Sequence, residues 1–238
     1  MTLVPIGGLC NRLRAILSIA TTASSPSLAE AESLILWPVN ADCAASWDDL
    51  FLPLPFENLT LRPCPFWHRP NIWRLRLNRL LHLPYVYSGN PLRAYDTALI
   101  RHITPQPALI QRIDTLSRSF TPHTIGLHIR RTDNSRAISV STDDAFIRRI
   151  DALIDADPQV TFFLATDDDA LRRHLVTRYA PRIHCQDIPA ERHTLTGMQA
   201  AVVDLWTLAR TTRIIGSHWS SFSSTAAEIG GIPFEECK

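Results

Sequence analysis

Four polar clusters in this sequence have residue types and spacing that could do chemistry on an anionic ligand. The first is His128-Ile129-Arg130-Arg131-Thr132-Asp133, directly after the apolar run TIGL. Two adjacent arginines where a buried strand ends can hold a diphosphate through several charge-assisted hydrogen bonds, because the planar guanidinium matches phosphate oxygens in pairs. When a group departs from a nucleoside diphosphate, negative charge grows on the distal phosphate. A fixed cation there stabilises the transition state more than the ground state. The plainer reading of RRxD is a surface turn closed by one ion pair.

The second cluster, Thr166-Asp167-Asp168-Asp169, follows VTFFLA. Carboxylates at a helix start commonly cap free amides; that role is expected of Asp169. Asp167 and Asp168 are left open between capping, a base- or ribose-binding role and a magnesium or manganese site. The third, Ser217-His218-Trp219-Ser220-Ser221-Phe222-Ser223-Ser224, offers hydroxyls and free amides to an anion, or ordinary capping. Asp204 is the odd polar residue in an apolar helix, either half buried with a partner or at the solvent edge. The fourth, Gly7-Gly8-Leu9-Cys10-Asn11-Arg12, lacks the GxGxxG spacing and the P-loop lysine. It is a glycine turn that either brings backbone close to a ligand or simply joins strand to helix.

Elements must position these clusters. In the second half, Thr124–Arg130 and Val160–Ala165 read as buried strands, Arg182–Cys185 as a weaker one and Arg213–Gly216 as the last. Helices are expected over Asp143–Asp157, Asp168–Tyr179, Met198–Ala209 and Ser221–Gly230, the last closed by Gly230-Gly231 and Pro233. Strand and helix alternating four times imply a parallel sheet with helices on both faces, where ligands bind beyond the carboxyl ends of the strands. The first half gives strands at Thr2–Ile6 and Ser33–Trp37 and a helix at Asn11–Ala23. From Pro38 to Pro91, prolines and aromatics predict loops with short helices. The expected architecture is α/β with two lobes and a cleft between them, divided as residues 1–115 and 116–238.

Composition excludes several classes. The 238 residues are 45% apolar and 20% charged, with a formal net charge of +1. Nearly equal numbers of bases and acids leave no dense basic stripe for nucleic acid. Lys238 is the only lysine; the other bases are arginines. The five cysteines lack CxxC pairs, which excludes a disulfide framework and a zinc site and predicts a reducing compartment. No run approaches the ~20 apolar residues of a membrane span. The N-terminus has no leader pattern, and a cytoplasmic location is expected.

Taken in order, GGLCNRL, GLHIRRTD, FFLATDD and VDLWTLA…IIGSHWSSFSS resemble the fucosyltransferase superfamily: the α1,6-fucosyltransferases, nodulation fucosyltransferases and protein O-fucosyltransferases. Every defining position of the HxRRxD signature is filled by His128 to Asp133, and LWPVNADCAASWDDLF resembles a stretch after the second strand of the first lobe. The resemblance implies two Rossmann-like lobes in the GT-B arrangement, with GDP-fucose mainly on the C-terminal lobe, and inversion without a metal or cofactor. It implies that Arg130 grips the donor's β-phosphate with Arg131 beside it, and that His128 lines the donor site. Asp133, Asp167 and Asp168 fall on the donor side, and Asp204 where an acid recognises guanine. Ser220, Ser221 and Ser223 fall in the phosphate-contacting turn, and Gly8, Asn11 and Arg12 on the sugar and acceptor side. The partners implied are a nucleotide-sugar donor and a glycan acceptor. The competing readings are a same-fold transferase for another nucleotide sugar, an inactive glycan- or nucleotide-binding relative, and a metal-dependent transferase built on Asp167–Asp169.

Overall fold

Strand β5 (Thr124–Ile129) is buried along its whole length, and the sheet around it explains why. In the computed structural model, which describes residues 1–20, 32–68, 72–81, 85–132 and 135–238, β5 pairs in parallel with β6 (Thr161–Thr166) on one side and β8 (Ile214–Ser217) on the other. Side chains alternate across a strand. Ile125, Leu127 and Ile129 therefore enter one apolar core, together with Phe146, Ile150, Phe162, Leu171 and Leu175. Gly126 faces the opposite side, where a Cβ would lie 2.9 Å from both Leu208 Cδ2 and Thr211 Oγ1. Covered on both faces, such strands read as continuous apolar runs.

The helices of this core are α5 (Asp143–Ala156) and α6 (Asp169–Tyr179). Thr142 caps α5 by accepting from the Ala145 N–H at 3.2 Å, and Asp143 and Asp144 complement the dipole of the first turn. The sheet continues through β7 (Ile183–His184) beside β6 and β9 (Phe234–Cys237) beside β8, giving the order β7-β6-β5-β8-β9 with every pairing parallel. Helix α7 (Leu195–Leu208) precedes β8 and helix α8 (Ser221–Gly230) follows it. A short helix, α4 (Ser135–Val140), lies before α5.

The chain divides into two compact units. One comprises Met1–Gln106 with Arg192–Met198, the other Pro107–Glu191 with Gln199–Lys238. The first unit holds a separate four-stranded sheet of order β3-β2-β1-β4, again all parallel. Its strands are β1 (Thr2–Pro5), β2 (Ser33–Trp37), β3 (Leu59–Pro63) and β4 (Tyr85–Ser88), with α1 (Leu9–Leu17) after β1 and α2 (Ile72–Leu81) before β4. Helix α3 (Pro107–Ser117) begins the second unit. Strands β3 and β4 replace part of the loop expected between Pro38 and Pro91. They flank the sheet and are exposed or half-buried over most positions, so neither shows the apolar run of an inner strand.

Candidate functional site

The order β7-β6-β5-β8-β9 reverses direction between β5 and β8. In open α/β sheets the crevice beyond the carboxyl ends of such a strand pair is the place where ligands bind. His128 lies opposite Gly216 in the β5–β8 register. The cluster His128–Thr132 and the cluster Ser217–Ser224 therefore leave the sheet side by side. Arg130, half-buried, donates its backbone N–H to Ser217 Oγ at 3.0 Å. His128 Nδ1 lies 2.7 Å from Ser223 Oγ, and its ring stacks on Phe222 at 4.7 Å and 23°. Glycine is required at position 216, because a Cβ there would fall 2.2 Å from Ser223 Oγ. Burial pushes the His128 pKa down to about 3; Asp167 opposes the shift while Arg130 and Arg131 reinforce it. The ring is thus neutral at physiological pH.

The serines separate by what they touch. Ser217 and Ser223 hold β5, as just described. Ser224 Oγ turns back to the carbonyls of Ser220 and Ser221 at 3.4 and 3.3 Å. Ser220 occupies the N-cap position of α8 but makes no capping bond, and its buried Oγ has no hydrogen-bond partner. Ser221, half-buried, opens the helix beside it. Trp219 adopts a left-handed φ of 54°, uncommon for a bulky side chain. Glu236 accepts from its N–H at 3.4 Å and lies 2.8 Å from both His218 Nδ1 and Lys238 Nζ. Hydrogen bonds from Lys238 and His218 draw the Glu236 pKa down to about 2.

Arg131 is held within its own turn. Its Nε meets Asp143 at 2.6 Å, its Nη1 meets the Arg130 carbonyl at 2.8 Å, and its guanidinium lies 5.7 Å from the Phe146 ring. These contacts brace the turn against α5, while the buried Nη2 has no hydrogen-bond partner. Asp167 braces the same turn, accepting from the Arg131 N–H at 2.6 Å and from Thr132 Oγ1 at 2.6 Å. Capping of α6 falls to Asp168, which accepts from the Leu171 N–H at 2.8 Å, and not to Asp169 as expected. Asp169 instead pairs with Arg172 and Arg173; the Arg172 hydrogen bond leads in lowering its pKa. The three carboxylates thus diverge onto separate partners. Among the described residues no group of three or more His, Cys, Asp or Glu could hold a metal ion. Asp133 lies outside the described residues.

A cavity of about 340 Å³ has Thr166, Asp167, Arg172, Gln186 and Asp204 in its wall. Asp204 projects from α7, buried, and its Oδ1 has no hydrogen-bond partner. Burial pushes its pKa up to about 7 against a side-chain hydrogen bond from Gln186 and the charges of Arg112 and Arg172. Gln186 is itself fixed: Nε2 donates to the Ala200 carbonyl at 2.8 Å, and Oε1 accepts from Arg112 Nη2 at 3.0 Å. Arg172 Nη1 donates to the Gln186 carbonyl at 3.1 Å. Sequence reading missed Gln186 and Arg172. Their signal was slight: a polar residue just past a weak strand, and an arginine one helical turn after Asp169.

In the first unit, Gly7 takes φ 77° and Gly8 stands at the N-cap of α1 with open space where a Cβ would be. Asn11 is half-buried on the first turn. Arg12 lies beneath the same turn. It is fully buried, donating to the Gly7 carbonyl at 2.7 Å, to Asn40 Oδ1 at 2.7 Å and to the Pro38 carbonyl, with its guanidinium 5.2 Å from the Trp37 ring. Desolvation lowers its pKa, offset in part by Cys43 and Asp42. With its nitrogens so committed, Arg12 orders the glycine turn and has no free fork for a sugar.

No family model matches the chain, and neither does any curated protein sequence. Solved structures do match. NodZ α-1,6-fucosyltransferase soaked with GDP-fucose superposes with TM-score 0.65 at 17% identity, over 96% of this chain and 92% of that one. Fucosyltransferase NodZ from Bradyrhizobium gives 0.62 at 17% identity, over 94% and 91%. POFUT1 in complex with GDP gives 0.63 at 9% identity, over 99% and 98%. The chain therefore has a fucosyltransferase-like α/β fold built on parallel sheets.

Proposed function

We propose that this chain is a glycosyltransferase that moves fucose from GDP-fucose to a glycan acceptor, inverting the anomeric carbon without a metal, on the two-lobe GT-B plan. The observation that carries the reading is Asp204: a buried carboxylate with an unpartnered oxygen, in the wall of a cavity edged by strand ends. An ionised carboxylate only accepts hydrogen bonds. The base it suits presents two adjacent donors, and guanine does so with N1–H and N2–H. Adenine, cytosine and uracil each interrupt that edge with an acceptor. The similarity in fold to NodZ soaked with GDP-fucose and to POFUT1 in complex with GDP supports the same donor.

Phosphate handling follows from the neighbouring turn. Arg130 is the group assigned to the β-phosphate, with Ser220 Oγ, Ser221 and the first amides of α8 completing the cradle. As the glycosidic bond to phosphate breaks, Arg130 meets the growing charge; this cation is the main catalytic group. Arg131, Asp167 and Ser217 are positioning residues that fix the turn. His128, neutral and held by Ser223, lines the donor. Asp168 acts on the donor side only through the helix it caps. Gly8 and Asn11 are assigned to the sugar and acceptor side. No cofactor enters; GDP-fucose is a substrate. The five free cysteines suit a reducing, cytoplasmic setting.

The test is GDP release from GDP-fucose in the presence of an oligosaccharide acceptor mixture. Wild type turns over, and Arg130→Ala loses roughly 10²–10³ in kcat, as when a preorganised charge-stabilising donor is removed. Preferential use of GDP-mannose or UDP-glucose would overturn the fucose assignment.

A further inference from the structure

The first unit carries a second feature that nucleotide-sugar chemistry does not use. Between Glu57 and Asp96 the sequence has six arginines (Arg62, Arg69, Arg74, Arg76, Arg79 and Arg93) and no acid, although the whole chain balances 24 bases against 23 acids. The same stretch displays large apolar side chains to solvent. In the 3-10 turn Phe66–His68, Phe66 is 73% and Trp67 62% exposed. On α2, Trp73 is 75% and Leu80 73% exposed, with Leu77 and Leu81 also exposed. Trp73, Leu77, Leu80 and Leu81 stand at i, i+4, i+7 and i+8, which is one face of a helix.

A soluble surface seldom shows so many large apolar groups together unless something covers them. The display rests on a fixed base at one end. The His68 ring packs 4.3 Å from Tyr85 of β4, and the Tyr87 hydroxyl donates to the His68 carbonyl at 3.4 Å. Arg76 lies over the Trp73 ring at 5.9 Å. A cation beside an amphipathic aromatic is the pairing that suits an interface where one side is apolar and the other wet.

We infer that the Phe66–His68 turn and α2 form a docking surface for an anionic lipid bilayer, Phe66, Trp67 and the apolar face of α2 entering the headgroup boundary while the exposed Arg62 and Arg76 meet the negative headgroups. Charge selects this occupant. An acid-free segment with exposed Trp, Phe and Leu is the composition of a helix lying in a membrane interface. A second copy of the chain would bring the same positive charge to the contact and repel it.

The test is co-sedimentation with phosphatidylcholine vesicles containing 30% phosphatidylglycerol, against vesicles of phosphatidylcholine alone. Wild type should bind the anionic vesicles roughly tenfold or more tightly, and salt should weaken that binding. Arg62→Gln with Arg76→Gln should weaken it on the order of 30-fold, about 5-fold for each exposed charge. Trp67→Ser with Trp73→Ser should abolish it. GDP binding measured on the same variants stays at the wild-type value, which shows that they are folded and separates this surface from the donor site. Absence of wild-type binding to the anionic vesicles would overturn the inference. So would binding that both double variants retain, or concentration-dependent self-association that Trp73→Ser alone removes.

Discussion

His128 Nδ1 and Ser223 Oγ stand 2.7 Å apart between β5 and α8, both buried, and this one hydrogen bond ties the first residue of the arginine cluster to the serine turn. Removing the hydroxyl leaves a buried ring nitrogen without its partner. Ser223→Ala should lose ~1–3 kcal/mol of stability, read as a lower urea midpoint at unchanged slope. Gly216→Ala should lower the midpoint too, because its Cβ would collide with the same side chain.

The Asp204 carboxyl gives the protein a pH signature. Its folded pKa is raised to about 7, whereas an unfolded aspartate titrates near ~3.9. Between those values the native state holds the extra proton, so stability falls as pH rises from about 4 to about 7, by at most ~1.4 kcal/mol per pH unit. Urea unfolding at pH 5 and pH 8 should show this loss in wild type and lack it in Asp204→Asn. Guanine needs the ionised form, so GDP affinity should weaken as pH drops below 7, by up to about tenfold per unit.

Arg130 and Arg131 should separate in assay. Arg130→Ala should lower kcat. Arg131→Ala removes the Asp143 pair and the Phe146 contact, so it lowers the thermal midpoint as well. Paired kinetic and melting measurements on the two variants distinguish a group on the substrate from one that positions it.

Arg12→Lys should destabilise the first unit although charge is kept. One ammonium cannot serve the Gly7 and Pro38 carbonyls and Asn40 together, and each buried acceptor left unpaired costs ~1–3 kcal/mol. Circular dichroism melts would show a loss of that size or larger.

The strands that carry the site were legible because burial on both faces makes an uninterrupted apolar run, as in TIGLHI and TFFLAT. Strand β9 was not: it ends the sheet, and its Glu235 and Glu236 point to Arg149 and His218. The HIRR and SHWSSFSS clusters were legible by residue type and order. Their division of labour was not, since Asp167 serves an N–H thirty-six positions away and Arg12 serves the Pro38 carbonyl, at a separation of 26 residues. Such partners are set by strand register and by the burial of the turn, which no local pattern displays.

The most direct measurement is calorimetric titration of GDP, UDP and ADP into wild type and Asp204→Asn, with EDTA present throughout. GDP should bind without added metal, UDP and ADP at least about 100-fold more weakly, as expected when a buried polar group is left unpaired, and Asp204→Asn should erase the preference. UDP or ADP binding as tightly as GDP, or an undiminished preference in Asp204→Asn, would contradict the guanine assignment.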